Sequence, residues 1–303
     1  MQIVRTSITY GFYPFLLAAT GFLTWNAIHE QFDLTIAFIG IAGARFLLLQ
    51  AVELLAPCER RWTIDWRNLW RDIKYGAVNF LTLRGAGYLT ALISIEVAAG
   101  NPGLIARMPL LVEALGVALV YEFFQYWFHR LSHEGTGWWG NLLWRIHVAH
   151  HLPDRVYLIM HAVAHPINTL IVVWFVPLSI WLTGVAQEAV MVWLAFRGLH
   201  GLISHFNVDI RAGWFNYVFV GTELHRYHHS AAMDECKNYG SFLTIWDQVF
   251  GTFVYKPGAN PERLGVEDPK AYPESNDIFR VLALPFGRKL SVEAMDCGVE
   301  SRN

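Results

Sequence analysis

Four apolar runs of bilayer-crossing length lie within the first 128 residues, and they limit the possible folds more than any other feature of the chain. They cover 8–25, 34–56, 76–99 and 108–128. A hydrocarbon core of about 30 Å is crossed by roughly 20 apolar residues in a helix. In that solvent every backbone N–H and C=O must find its partner inside the protein, which leaves helices or closed barrels. Runs this long and unalternating predict helices. Two further apolar stretches, 166–183 and 185–206, read as helices separated by Gly184. Composition agrees, with 54% hydrophobic and only 16% charged residues, against about 25% charged in a soluble domain. The first run lacks the charged lead-in and small-residue cleavage site of a signal peptide, so it is expected to be a retained span.

The loops predict an orientation. Residues 57–75 carry Arg60, Arg61, Arg67, Arg71 and Lys74, whereas 26–33 carry only Glu30 and Asp33, and the loop after the third run has Arg107 as its basic residue. The positive-inside rule places 57–75 in the cytoplasm. Alternation then returns the fourth run to that side at His129, and a hairpin within 152–224 brings 225–230 back to it. Three regions are expected: N-terminal spans over 1–107, a catalytic region over 108–255, and a cytosolic tail over 256–303 with little core of its own. The formal net charge of -2 leaves no electrostatic footprint for nucleic acid. Cys58, Cys236 and Cys297 stand far apart and form no CxxC pair, so neither a disulfide framework nor a thiolate metal site is suggested.

Twelve of the thirteen histidines fall between 129 and 229. "HRLSH" sets His129 and His133 four apart, on one helix face. "HVAHH" offers His147, His150 and His151, and "HRYHH" offers His225, His228 and His229, each at spacings of three and four. Each cluster can aim its imidazoles from one helical segment. Imidazole suits zinc, copper, iron and nickel, and a structural zinc is satisfied by about four ligands. Two metal ions sharing eight or nine nitrogens is the economical expectation. Isolated histidines are more often ordinary core or surface residues, which covers His29, His161 and His200.

At these residues the sequence resembles the fatty acid hydroxylase superfamily, the group of sterol desaturase-like membrane enzymes. The ordered boxes carry the resemblance, together with His165–Pro166, "HFN" at 205–207, "KNYG" at 237–240 and "WDQVFGTF" at 246–253. It runs from about Tyr121 to Tyr255. The resemblance implies a transmembrane helix bundle with a cytosolic helical cap bearing a histidine-rich dimetal site. It implies a non-haem di-iron centre that uses O2 to attack a lipid C–H bond. It also implies metal binding by His129, His133, His147, His150, His151, His225, His228 and His229, with His205 as an additional ligand and His165 at the family's His-Pro position. The chain departs from that pattern at Val163, where an arginine often precedes the His-Pro step.

Metal-bound histidines commonly give their other N–H to a carboxylate or carbonyl. Glu122, seven residues before His129, and Asp247 are the expected carboxylates near the chemistry, with Asp154 and Glu223 as further candidates. An ion pair of Glu122 with Arg84 or Arg45 is the competing reading. The chain shows neither a GxGxxG nucleotide loop nor CxxC iron–sulfur spacing, so an external donor, a ferredoxin or a cytochrome b5-like protein with its reductase, is expected to supply electrons. Other classes fit less well. A zinc-binding protein or transporter without redox activity needs ionisable groups at membrane depth, and the runs before His129 contain no histidine. A bis-histidine haem carrier needs isolated histidines on facing spans, and a zinc protease needs HExxH. Hydroxylation is favoured over desaturation, on a sterol-like, acyl or ether lipid.

Overall fold

The computed structural model describes residues 2–97 and 103–287. The end of the third apolar run, Cys297 and the last part of the expected tail lie outside the described residues. Six long helices run up and down: α1 (Gln2–His29), α2 (Leu34–Leu55), α3 (Trp66–Val97), α4 (Leu110–Glu134), α6 (Pro166–Thr183) and α7 (Gln187–Ile203). Short helices α5 (Gly137–His147), α8 (Thr222–His228) and α10 (Ile278–Ala283) lie at one end, and α9 (Ile245–Val249) packs beside α4. Among the described residues there is no strand, only two isolated bridges.

Local chemistry sets the boundaries. Asp33 caps α2 by accepting from the Ile36 amide at 2.9 Å. Pro166 opens α6 and Gly184 closes it at φ 68°, a left-handed geometry that glycine adopts without strain. Helix α3 begins at Trp66, ten residues before the apolar run, so Arg67, Arg71 and Lys74 lie on a helix rather than in a loop. The cause is Asp65, whose carboxylate accepts from the Asn68 amide at 2.8 Å. Helix α4 likewise continues past 128 to Glu134, because no breaker stands before Gly135.

Three of these helices, α2, α4 and α6, are long and apolar enough to cross a membrane. Helix α2 turns Ile36, Ile39, Leu47, Leu54 and Leu55 outward, as a lipid environment requires, whereas α6 is half-buried between α3 and α4. The protein is an all-α membrane protein. Helix α4 is the central one, packed on α6 and α7, while α1 and α2 lie against α7 and α3 against α6. At one end the Leu104 and Ile105 amides donate to the Leu182 and Thr183 carbonyls, joining the approach to α4 with the end of α6. All three histidine boxes lie at the opposite end, the end that also carries the basic residues of 57–75. Residues 256–287, expected as a tail with little core, pack back onto that end. Ile278 and Val281 join a buried cluster with Tyr75, Tyr157, Met160 and Val163.

Candidate metal centre

The folded chain collects nine imidazoles into two groups. His129, His133, His147, His151 and His228 form one; His150, His205, His225 and His229 form the other. Within each group the ligand nitrogens all lie within 4.8 Å of one another. The HxxHH boxes do not each serve one point, as their spacing alone suggests; each is divided between the groups. His147 and His151 turn to the first group and His150 to the second, while His225 and His229 turn to the second and His228 to the first. On a helix of 3.6 residues per turn, positions i and i+4 are about 40° apart, whereas i+3 lies about 60° to the other side. The i, i+4 pair therefore converges and the middle histidine diverges. In the first HxxHH box, α5 also ends at His147 and passes into a 3-10 turn over Val148–His150.

Four of the nine rings are held by Nδ1 so that Nε2 faces the cluster. His129 Nδ1 donates to the Tyr239 carbonyl at 2.7 Å, and His228 Nδ1 to the Lys237 carbonyl at 3.0 Å. His150 Nδ1 donates to the Val163 carbonyl at 2.8 Å, and His147 Nδ1 lies 3.1 Å from Asn168 Oδ1. These bonds fix the tautomer and leave Nε2 as a free lone pair. Burial, and then the neighbouring imidazoles, holds His151, His225 and His229 well below the ordinary histidine range, and burial brings His150 down to about 4. These rings are neutral at pH 7, the form that binds metal.

The donor set fits metal ions. His147 Nε2 lies 3.0 Å from both His129 Nε2 and His151 Nε2. In the second group His205 Nε2 lies 3.0 Å from His150 Nε2 and His225 Nε2, and 3.2 Å from His229 Nε2. Two nitrogens on one ion at the usual metal–nitrogen distance of about 2.1 Å are about 3.0 Å apart at right angles and about 3.4 Å apart at the tetrahedral angle. Crowded lone pairs without a shared proton or cation repel one another. The Nε2 atoms of His133 and His228 are buried with no hydrogen-bond partner among the described residues, an arrangement a bound ion would resolve.

Glu122 and Asp247 lie behind this cluster and act on backbone. Glu122 accepts from the amides of Ser241, Phe242 and Leu243 and from Ser241 Oγ at 2.7 Å. Asp247 accepts from the Tyr239 and Gly240 amides at 2.7 and 2.8 Å and from Thr252 Oγ1 at 2.7 Å. Together they pin the strap 237–243, whose carbonyls hold His129 and His228. Gly240 is sterically required there, since a Cβ would sit 2.4 Å from the Leu243 carbonyl oxygen and 2.9 Å from Asp247 Oδ2.

The other expected residues are dispersed. His165 stands outside both groups because its ring is already engaged: Nδ1 accepts from the Ile167 amide at 3.1 Å, capping α6, and Nε2 donates to the Leu282 carbonyl at 3.2 Å. Asp154 is exposed beside Arg155, and Glu223 accepts from the Ala212 amide and Asn216 Nδ2. His200 is buried against Tyr13 Oη at 2.8 Å. Sequence reasoning missed Glu53 on α2, whose carboxylate accepts from the amides of Leu158 and Asn207 and so holds the segments on either side of the second group. A lone carboxylate inside an apolar run was the available signal. It also passed over His161, whose Nδ1 lies 3.3 Å from His205 Nδ1 and which is the one exposed imidazole of this region.

Known proteins are similar to this chain in sequence. A family model described as fatty acid hydroxylase matches residues 114–252, a span that contains all nine histidines. The ornithine lipid hydroxylase of Rhizobium tropici is 30% identical over 300 residues, covering 90% of this chain and 86% of that protein. Methylsterol monooxygenase 1 of Rattus norvegicus is 31% identical over 154 residues, 49% of this chain and 50% of that one. Alkylglycerol monooxygenase of Homo sapiens is 30% identical over 137 residues, 44% of this chain and 28% of that one. No solved structure matches. The ordered boxes, the site they build and a likeness running through nearly the whole chain lead to one conclusion: the protein belongs to the fatty acid hydroxylase family.

Proposed function

We propose that the protein is a membrane-bound non-haem di-iron oxygenase that uses O2 and two electrons to hydroxylate a C–H bond of a lipid. The observation that carries this reading is the pair of interleaved imidazole groups, their Nε2 atoms facing inward at 3.0–3.2 Å. Iron held there supplies the redox chemistry needed to activate O2, which zinc lacks. The protein's part is to hold and to exclude. Nine neutral imidazoles bind the ions, the strap 237–243 and Asn168 orient the rings, and the apolar helices keep water from the reacting carbon. Reducing equivalents come from a separate ferredoxin or cytochrome b5-like donor.

The substrate class we favour is a polar lipid with acyl chains, of the ornithine-lipid kind. The likeness to the Rhizobium tropici enzyme extends over the N-terminal helices, whereas that to the rat methylsterol enzyme covers about half of this chain. The basic residues of 57–75 share the histidine end of the bundle, which supports a cytosolic site under the positive-inside rule. The deciding experiment supplies iron-loaded protein in bilayers with a reductase–ferredoxin couple, 18O2, and either ornithine lipids or sterols. We expect an alcohol carrying one 18O atom from the ornithine lipids. Products that form without O2, or 18O that enters only from labelled water, would refute the oxygenase reading.

A further inference from the structure

The segment after the last histidine box runs back down the outside of α4. Trp246 Nε1 donates to the Leu119 carbonyl at 3.2 Å, and its ring meets Phe123 edge-on at 5.2 Å. Phe250 stacks on Tyr126 at 5.4 Å and lies 4.9 Å from Trp127. Phe242 and Leu243 enter the core formed by Val117, Ala118, Tyr121 and Trp193. Helix α4 has 25 residues, so at 1.5 Å per residue it is about 37 Å long and overhangs a hydrocarbon core of about 30 Å by only about 7 Å. Leu119 is about 14 Å from the Leu110 end. Wherever the overhang falls, Leu119 and the chain laid against it are at hydrocarbon depth, well below His129.

Chain that is mostly not helical survives at that depth only if its polar groups are satisfied by protein. Many of those of this segment are. The Thr244 amide donates to the Val218 carbonyl at 3.1 Å and the Val220 amide to the Phe242 carbonyl at 2.8 Å. Glu122 takes the amides of 241–243, and Thr244 Oγ1 and Gln248 Nε2 both donate to the Tyr217 carbonyl at 2.8 and 2.7 Å. What remains on the outside is largely apolar: Val218, Ile245 and Val249 are 39%, 42% and 60% exposed, beside the exposed Phe123 of α4, while the exposed Gln248 turns its amide nitrogen back onto the Tyr217 carbonyl.

We infer that 217–220 and 241–250 form a re-entrant element of the membrane domain, with Val218, Ile245 and Val249 in direct contact with lipid acyl chains. The buried carboxyl of Glu122 then has a second role, since it closes the backbone of a segment that dips into hydrocarbon. This inference depends on α4 being a span and not on which metal or substrate the centre takes.

Lipid-borne photolabelling tests it on the full chain. The protein is reconstituted in phosphatidylcholine bilayers holding a lipid with a diazirine at mid-chain, and a parallel sample receives a water-soluble diazirine. Adducts are then mapped by mass spectrometry. Ile245 and Val249 should show the lipid-to-water labelling ratio of Leu115 on α4, and the exposed turn at 256–259 should show the reverse. A ratio at 245–249 matching that of 256–259, or cross-linking of 245–249 to a second copy of the chain in place of lipid, would overturn it.

Discussion

The two histidine groups are built from the same boxes but not to the same standard. The first has five imidazoles, all buried, and three of its rings are held by the carbonyls of Tyr239 and Lys237 and by Asn168. The second has four, one of them only half-buried, and its central His205 adjoins the exposed His161. One group has a donor in reserve; the other has none and lies beside His161. The two groups thus differ in donor number and in what lies beside them, and under the proposed function substrate and O2 are expected at the second.

The largest effect expected of this difference is in metal content. His205→Ala should reduce an anaerobically iron-loaded protein from about two ions per chain to about one and abolish turnover, because it removes the imidazole whose Nε2 lies 3.0–3.2 Å from those of His150, His225 and His229. His133→Ala should leave occupancy near that of the unaltered protein. Equal losses from both variants would break the distinction between the groups.

Acid should act next. The folded pKa of His150 is about 4, below its ordinary 6.5, so between those values the unfolded chain binds more protons than the native one. The stability of the metal-free protein should be fully present above pH 6.5 and decline as the pH falls towards 4, as read by thermal unfolding in detergent. Bound metal should shift the decline to lower pH. A stability that rises on acidification would contradict neutral buried imidazoles.

Asp247→Asn should act on the first group alone. It weakens the anchors of the Tyr239 and Gly240 amides, and loss of such outer support costs about tenfold in metal affinity. Competition with a chelator should therefore release the first ion sooner and the second at its usual rate. A smaller effect is expected of His161→Phe, which should leave metal content intact and change KM or the site of oxidation. The smallest is that of His165→Ala, which should cost about 1 kcal/mol through the lost helix cap and leave metal content unchanged.

The same comparison shows what the sequence could reveal. The spacing of three and four in "HVAHH" and "HRYHH" announces imidazoles on a shared helix face. It does not announce their division, because that depends on where α5 ends and on the direction from which α8 approaches. The four apolar runs announce helices, and their positions agree with α1 to α4 apart from the ends. Polar capping at Asp65 and the lack of a breaker before Gly135 set those ends. Glu53 was hidden in an apolar run because its partners, the amides of Leu158 and Asn207, are more than a hundred residues away. The packing of 256–287 was hidden by composition: Pro and charge dominate that stretch, while its attachment rests on Ile278 and Val281.

Mössbauer spectroscopy of protein loaded anaerobically with 57Fe, before and after His205→Ala, tests the central claim most directly. Two ferrous signals of similar area are expected from the unaltered chain, and the substitution should remove one while the other keeps its parameters. A single signal in the unaltered protein, or two that disappear together, would contradict a centre made of two separately built histidine sites.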